Sequence, residues 1–135
     1  MIKVEHEQDV MVRLMDGEEL ISSLATLGLD SAILLNGVGM LRDLEIGYWN
    51  GSSYDVQQIA DPVELLSLQG NFACKGDEKI IHCHATIAKH GAAAFGGHVL
   101  RATVNNTAEI YIRKLSGITL VRKMEETGLA GLYPR

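Results

Sequence analysis

Asp16-Gly17-Glu18-Glu19-Leu20-Ile21-Ser22-Ser23-Leu24-Ala25-Thr26-Leu27-Gly28 is the one stretch with a helical period, and its reading sets the fold class. Leu20, Ile21, Leu24 and Leu27 recur at helical spacing and make a single apolar stripe. Asp16 stands where an N-cap acceptor is wanted, and Glu19, three positions on, can reach back toward it. Gly28 is the expected stop, because a left-handed C-terminal residue costs glycine least. The spacing therefore predicts one firm helix between Asp16 and Gly28.

On both sides of it the period is that of strands. Residues 10–15 precede the helix, and the apolar run 31–35 follows it. Gly37-Val38-Gly39 has no third glycine, since Arg42 stands in its place, and no helix follows to offer amides to a phosphate. It reads as a tight turn. Residues 41–49 run to Asn50-Gly51, a dipeptide that accepts positive φ in a hairpin, and 54–59 return from it. Segments 63–73, 79–89, 98–104, 108–115 and 118–123 complete the set. Gly76-Asp77, Gly96-Gly97, Asn105-Asn106 and Ser116-Gly117 separate them with turn chemistry. About seven or eight strands against one helix predict an α+β domain: a mostly antiparallel sheet packed with one main helix. Residues 125–135 carry neither period and read as either an ordered crossing or a loose end.

A chain of 135 residues fits one domain, here taken as 1–135, and is long enough to bury about two-thirds of its unfolded surface. Twelve Lys and Arg against 17 Asp and Glu leave a net charge of −5. That sign disfavours DNA, whose affinity rests on cations replacing counterions at phosphates. A local basic patch has Arg113, Lys114, Arg122 and Lys123 to draw on. Two cysteines, Cys74 and Cys83, are too few for a disulfide framework. The start, Met1-Ile2-Lys3-Val4-Glu5-His6-Glu7, lacks the apolar core of a signal peptide, and no run approaches the ~20 apolar residues that span a bilayer. The expected address is the cytoplasm, away from membranes. Asn105-Asn106-Thr107 matches a glycosylation sequon but, without export, reads as a hairpin turn.

Three of the five histidines fall in Ile81-His82-Cys83-His84 and Gly96-Gly97-His98. Residues two apart on a strand share a face, about 6.6 Å apart at ~3.3 Å rise per residue. Two such imidazoles can tilt toward one ion, while Cys83 between them must point the other way. His98 opens the next strand of an expected hairpin, and the glycines before it allow a close backbone approach. His82, His84 and His98 are thus the candidate metal ligands. An alternating His-x-His is also what the wet face of a strand shows, and both readings stand at this point. Three imidazoles with an open position are how catalytic zinc is held, whereas structural zinc usually has four protein ligands. Imidazoles alone also admit nickel, copper, iron and cobalt. A divalent metal, zinc first, is the expected cofactor.

Glu109, Tyr111 and Arg113 share one strand face. Glu109 is the carboxylate with a claim to orient a histidine or act on a metal-bound water, and Glu64 has a weaker one. No serine or cysteine has a paired base at sequence level. His6 and His90 lack such context and read as surface residues.

Several of these residues also carry a family likeness: Gly17-Glu18, Gly37-Val38-Gly39, Gly47-Tyr48, Leu66-Ser67-Leu68-Gln69-Gly70-Asn71, His82-Cys83-His84, Gly96-Gly97-His98 and Glu109. In this order the chain resembles the PPC family (plants and prokaryotes conserved domain, also called DUF296), from Arg13 to about Leu129. The resemblance implies a homotrimer and a metal, commonly zinc, on His82, His84 and His98. It also implies a putting of stand-alone prokaryotic members among DNA-binding proteins, by association with plant relatives that carry basic AT-hooks. This sequence has no such hook. The leading expectation is a metal-binding homotrimeric domain that binds a small ligand or a protein partner. The alternatives are a DNA-associated regulator and a metal-dependent hydrolase or lyase.

Overall fold

The computed structural model describes residues 1–91 and 93–135. Its elements are β1 (Ile2–His6), β2 (Asp9–Met15), α1 (Leu20–Ala25), β3 (Ala32–Trp49), β4 (Tyr54–Ile59), β5 (Val63–Lys75), β6 (Glu78–Ala88), β7 (Ala94–Lys114), β8 (Leu120–Met124) and β9 (Ala130–Pro134). The α+β expectation is corrected: the fold is nearly all β, a nine-stranded mixed sheet beside a helix of six residues. The reason lies at the helix start. Glu19, not Asp16, is the N-cap, its carboxylate accepting from the amides of Ile21 and Ser22. Asp16 instead accepts from the Arg42 guanidinium at 2.7 Å and the Asn106 amide at 2.9 Å, which ties it to β7. The helix is too short to cover a sheet, and only Leu20 and Leu24 of it are buried.

What covers the core is the sheet itself. Antiparallel pairings run from β3 to β5, from β5 to β6, from β6 to β7, and from β7 back to β3. The apolar residues that alternate along these strands point into that closed circuit, with Leu34, Leu41, Ile46, Leu68, Phe72, Ile87, Ile110 and Ile112 all fully buried. β1 and β2 extend the sheet from β7, while β8 meets β5 in a parallel bridge at Cys74 and Val121.

Two expected turns lie inside long strands. Gly37-Val38-Gly39 belongs to β3 and Asn105-Asn106-Thr107 to β7, so neither is a hairpin turn. Gly39 has φ +146° and Asn106 +68°, which bend the strands while pairing continues on both sides, from Gly39–Ala108 to Leu41–Val104. A Cβ on Gly39 would stand 2.2 Å from the Thr107 carbonyl oxygen. Gly96-Gly97 likewise sits within β7, paired with Thr86 and Ala85. Gly76-Asp77 and Ser116-Gly117 lie between strands as read. β1, wholly exposed, has no alternation to reveal it, and the undecided tail forms β9 against β8. Among the described residues no helix is long and apolar enough to cross a membrane.

Candidate metal centre

The β6–β7 ladder sets His84 directly opposite His98, and His82 lies two residues before His84 on the same face. Ring centroids are 5.0 Å apart for His82 and His84, 4.9 Å for His82 and His98, and 5.4 Å for His84 and His98. One ring nitrogen from each lies within 4.8 Å of the others. Cys83 points inward, 1% exposed, and burial pushes its thiol up to about 12, so it offers no thiolate.

Glycines make this approach feasible. A Cβ on Gly70 would stand 2.0 Å from the His82 carbonyl oxygen, so β5 reaches β6 only without a side chain there. Gly47 similarly leaves room for Tyr54, since a Cβ would lie 2.7 Å from the Tyr54 ring. That ring stacks on His98, and Trp49 meets Tyr54 edge-on at 5.3 Å. The Tyr48 hydroxyl donates to the Gly96 carbonyl at 2.8 Å and fixes the backbone just before His98.

The electrostatics favour neutral rings at His82 and His98. Burial, then the Arg122 charge and the neighbouring histidines, hold His82 down to about 4. Burial, His84 and Arg122 lower His98 in the same direction. Neutral imidazole is the metal-ligating form. The Nδ1 of His98 is buried with no hydrogen-bond partner, an orphaned polar atom that a metal ion would satisfy. Tetrahedral zinc with ~2.0–2.1 Å bonds would set ligand nitrogens roughly 3.4 Å apart, so the three rings would need to turn inward from their separation of up to 4.8 Å to share one ion. The donor set and geometry fit a divalent ion.

Beside the rings opens a cavity of about 580 Å³, lined by Trp49, Tyr54, His82, His98, Arg122 and Leu129 among others. Arg122 was legible only as part of a basic patch, and that patch does not assemble. Arg113 pairs with Asp9 at 3.4 Å, Lys114 pairs with Glu5, and the Lys123 ammonium sits over the Tyr133 ring. Arg122 turns toward the histidines and donates to Asn71 Oδ1 and the Ala130 carbonyl, both at 2.8 Å. Neither proposed carboxylate joins the three histidines. Glu109 is exposed, eleven residues along β7 from His98 and in register with Arg13 and Val38, while Glu64 pairs with Ala88, four residues beyond His84. The carboxylate that lines the cavity is Glu125, which accepts from the Tyr133 hydroxyl at 3.0 Å. Tyr54, Trp49 and Glu125 carried no sequence signal, because strand pairing brings them from distant segments.

Comparison with known proteins follows the same lines. A Pyrococcus horikoshii plant- and prokaryote-conserved (PPC) protein shares 32% identity with a TM-score of 0.85, over 92% of this chain and 90% of that one. A metal-containing protein from Archaeoglobus fulgidus shares 29% with a TM-score of 0.83, over 96% of this chain and 95% of that one. A Bacteroides thetaiotaomicron protein whose name proposes DNA binding shares 22% with a TM-score of 0.90, over 98% and 96%, and speaks to the fold alone. No curated protein matches. Residues 1–116 match the Plants and Prokaryotes Conserved (PCC) domain, and the chain belongs to that family.

Proposed function

We propose that this chain is a metal-binding domain, acting as a homotrimer, that holds a divalent ion, zinc first, on His82, His84 and His98 and binds a small ligand beside it. The observation that carries this reading is the approach of three imidazole nitrogens to within 4.8 Å of one another. The metal-containing relative from Archaeoglobus fulgidus supports it. Bound there, the ion would supply Lewis acidity; His82, His84 and His98 would hold it, with a stacked wall at Tyr54 and a cation at Arg122 beside it.

Binding is preferred to hydrolase or lyase chemistry because Glu109 and Glu64 lie away from the histidines and Glu125, which lines the cavity, is engaged by Tyr133. It is preferred to DNA because Arg113 and Lys114 are engaged by acids of the same chain and the net charge is −5. A gel shift at low salt is expected to show no complex.

Isothermal titration of metal-stripped protein with zinc tests the reading. Wild type is expected to bind one ion per chain, and His82→Ala to lose at least tenfold in affinity, as loss of one of three ligands should cost. Equal affinity in both would rule the site out.

A further inference from the structure

We propose that the cavity between the three histidines and the C-terminal hairpin binds a small organic carboxylate, its charged end shared between the metal and Arg122. The inference rests on the metal reading above and names the class of ligand for that site.

The argument begins with an unmatched charge. Arg122 lines the same cavity as His82 and His98. Its two hydrogen-bond acceptors, Asn71 Oδ1 and the Ala130 carbonyl, are neutral, and its Nε is buried without any partner. Among the described residues no carboxylate comes within ion-pair distance of it, although ion pairs elsewhere engage Lys3, Arg42, Lys79, Arg113 and Lys114. Burying a cation without a counter-charge is costly, and half-buried Arg122 bears part of that cost. Loading a divalent ion onto neutral imidazoles adds two more positive charges to the same space. Glu125, the one carboxylate among the lining residues, is held by Tyr133. Among the described residues Arg122 therefore faces the histidines with no anion paired to it.

Geometry and chemistry narrow the anion. A guanidinium presents planar paired donors that match a carboxylate, and a carboxylate oxygen is a good ligand for zinc. Trp49, Tyr54, Ile81 and Leu129 supply aromatic and aliphatic wall to the same space, which an inorganic anion would leave unused. Arg122, Glu125 and Leu129 lie beyond residue 116, where the family match ends. The histidines, Trp49 and Tyr54 thus lie within the matched domain, and Arg122, Glu125 and Leu129 come from the β8–β9 hairpin that follows it.

Cobalt(II)-loaded full-length protein, titrated with benzoate, acetate and inorganic phosphate, provides the test by calorimetry and visible spectrum. Benzoate is expected to bind more tightly than acetate and to change the cobalt spectrum. Arg122→Gln is expected to weaken benzoate roughly tenfold or more, with cobalt content unchanged, as loss of a charge-assisted bond implies. Arg122→Lys, which keeps the charge, should fall between, and unchanged cobalt content shows that each variant is folded at the site. Benzoate bound equally by wild type and Arg122→Gln overturns the inference and leaves the metal reading standing. So does a fully cobalt-loaded wild type that responds to phosphate alone or to none of the three. A wild type that takes up neither cobalt nor zinc overturns both.

Discussion

Tyr54 lies flat on His98, ring centroids 4.9 Å apart and planes inclined by only 11°. The two residues belong to different hairpins. Tyr54 opens β4 opposite Trp49, while His98 stands in β7 opposite Gly47 of the same β3. Gly47 is the gap that lets one ring reach the other. With no hydrogen bond on its buried Nδ1, His98 is oriented by this stack and by its contact with His82.

Removing the stack should therefore loosen the metal. An aromatic pair contributes about 0.5–1.5 kcal/mol beyond the area it buries, and supporting residues typically change metal affinity by ~10–100-fold. Tyr54→Ala is expected to lower zinc affinity by roughly tenfold, and Tyr54→Phe to leave it near wild type. Competition with a chromophoric chelator measures both. An unchanged affinity in Tyr54→Ala would show that His98 is held in some other way.

The histidine constellation was legible because strand alternation fixes which residues share a face, and two glycines before His98 marked a close approach. The fold class was not, because a stripe of Leu20, Ile21, Leu24 and Leu27 describes apolar spacing and not length. Asp16 had a better use at Arg42 and the Asn106 amide, so the helix begins at Glu19 and is over by Ala25. Asn106 and Gly39 carry the chemistry of turns, yet here they bend strands whose ladders continue past them. Glu109 shared the right face of its strand but the wrong end of it. Arg122 could be placed at the site only by the pairing of β5 with β8, a contact with no local signature.

Acid should destabilise the metal-free protein earlier than carboxylates alone would. Burial and the Arg122 charge lower His82 to about 4 from the ordinary 6.5. Between those values the unfolded chain takes up a proton that the folded chain refuses, so stability is full above about 6.5 and falls as pH drops toward 4. His82→Gln removes this contribution. Melting temperatures in chelator between pH 7 and 4 are expected to fall less steeply for the variant, and parallel curves would contradict the assignment.

Gly70 is where packing sets the limit. Any side chain there meets the His82 carbonyl oxygen at 2.0 Å and the Cys83 Cα at 2.7 Å, and both are backbone. Gly70→Ala must push β5 from β6, with a cost at or above the ~1–3 kcal/mol of ordinary overpacking. It is expected to lower the denaturation midpoint and, by displacing His82, to weaken zinc. Gly76→Ala serves as the control for glycine loss, because its Cβ position is open, though its φ of +60° adds local strain. Zinc affinity should fall in the first variant only.

The outer face of the sheet bears on assembly. Val4, Met11, Tyr111 and Asn36 stand in register across β1, β2, β7 and β3, pointing away from the core. Val4 is 67% exposed, Met11 50% and nearby Val38 40%. A patch of this kind on a sheet face commonly marks a contact with another chain, and the homotrimer proposed above would give it copies of itself to meet. Light scattering should then find three chains together in the wild type. Met11→Asp combined with Val38→Asp should reduce the assembly to single chains, with the strand content by circular dichroism retained. A wild type that runs as one chain removes the trimer. A double variant that stays threefold moves the interface to another face, because two added carboxylates per chain, brought together in a threefold contact, would repel one another and strip the apolar match.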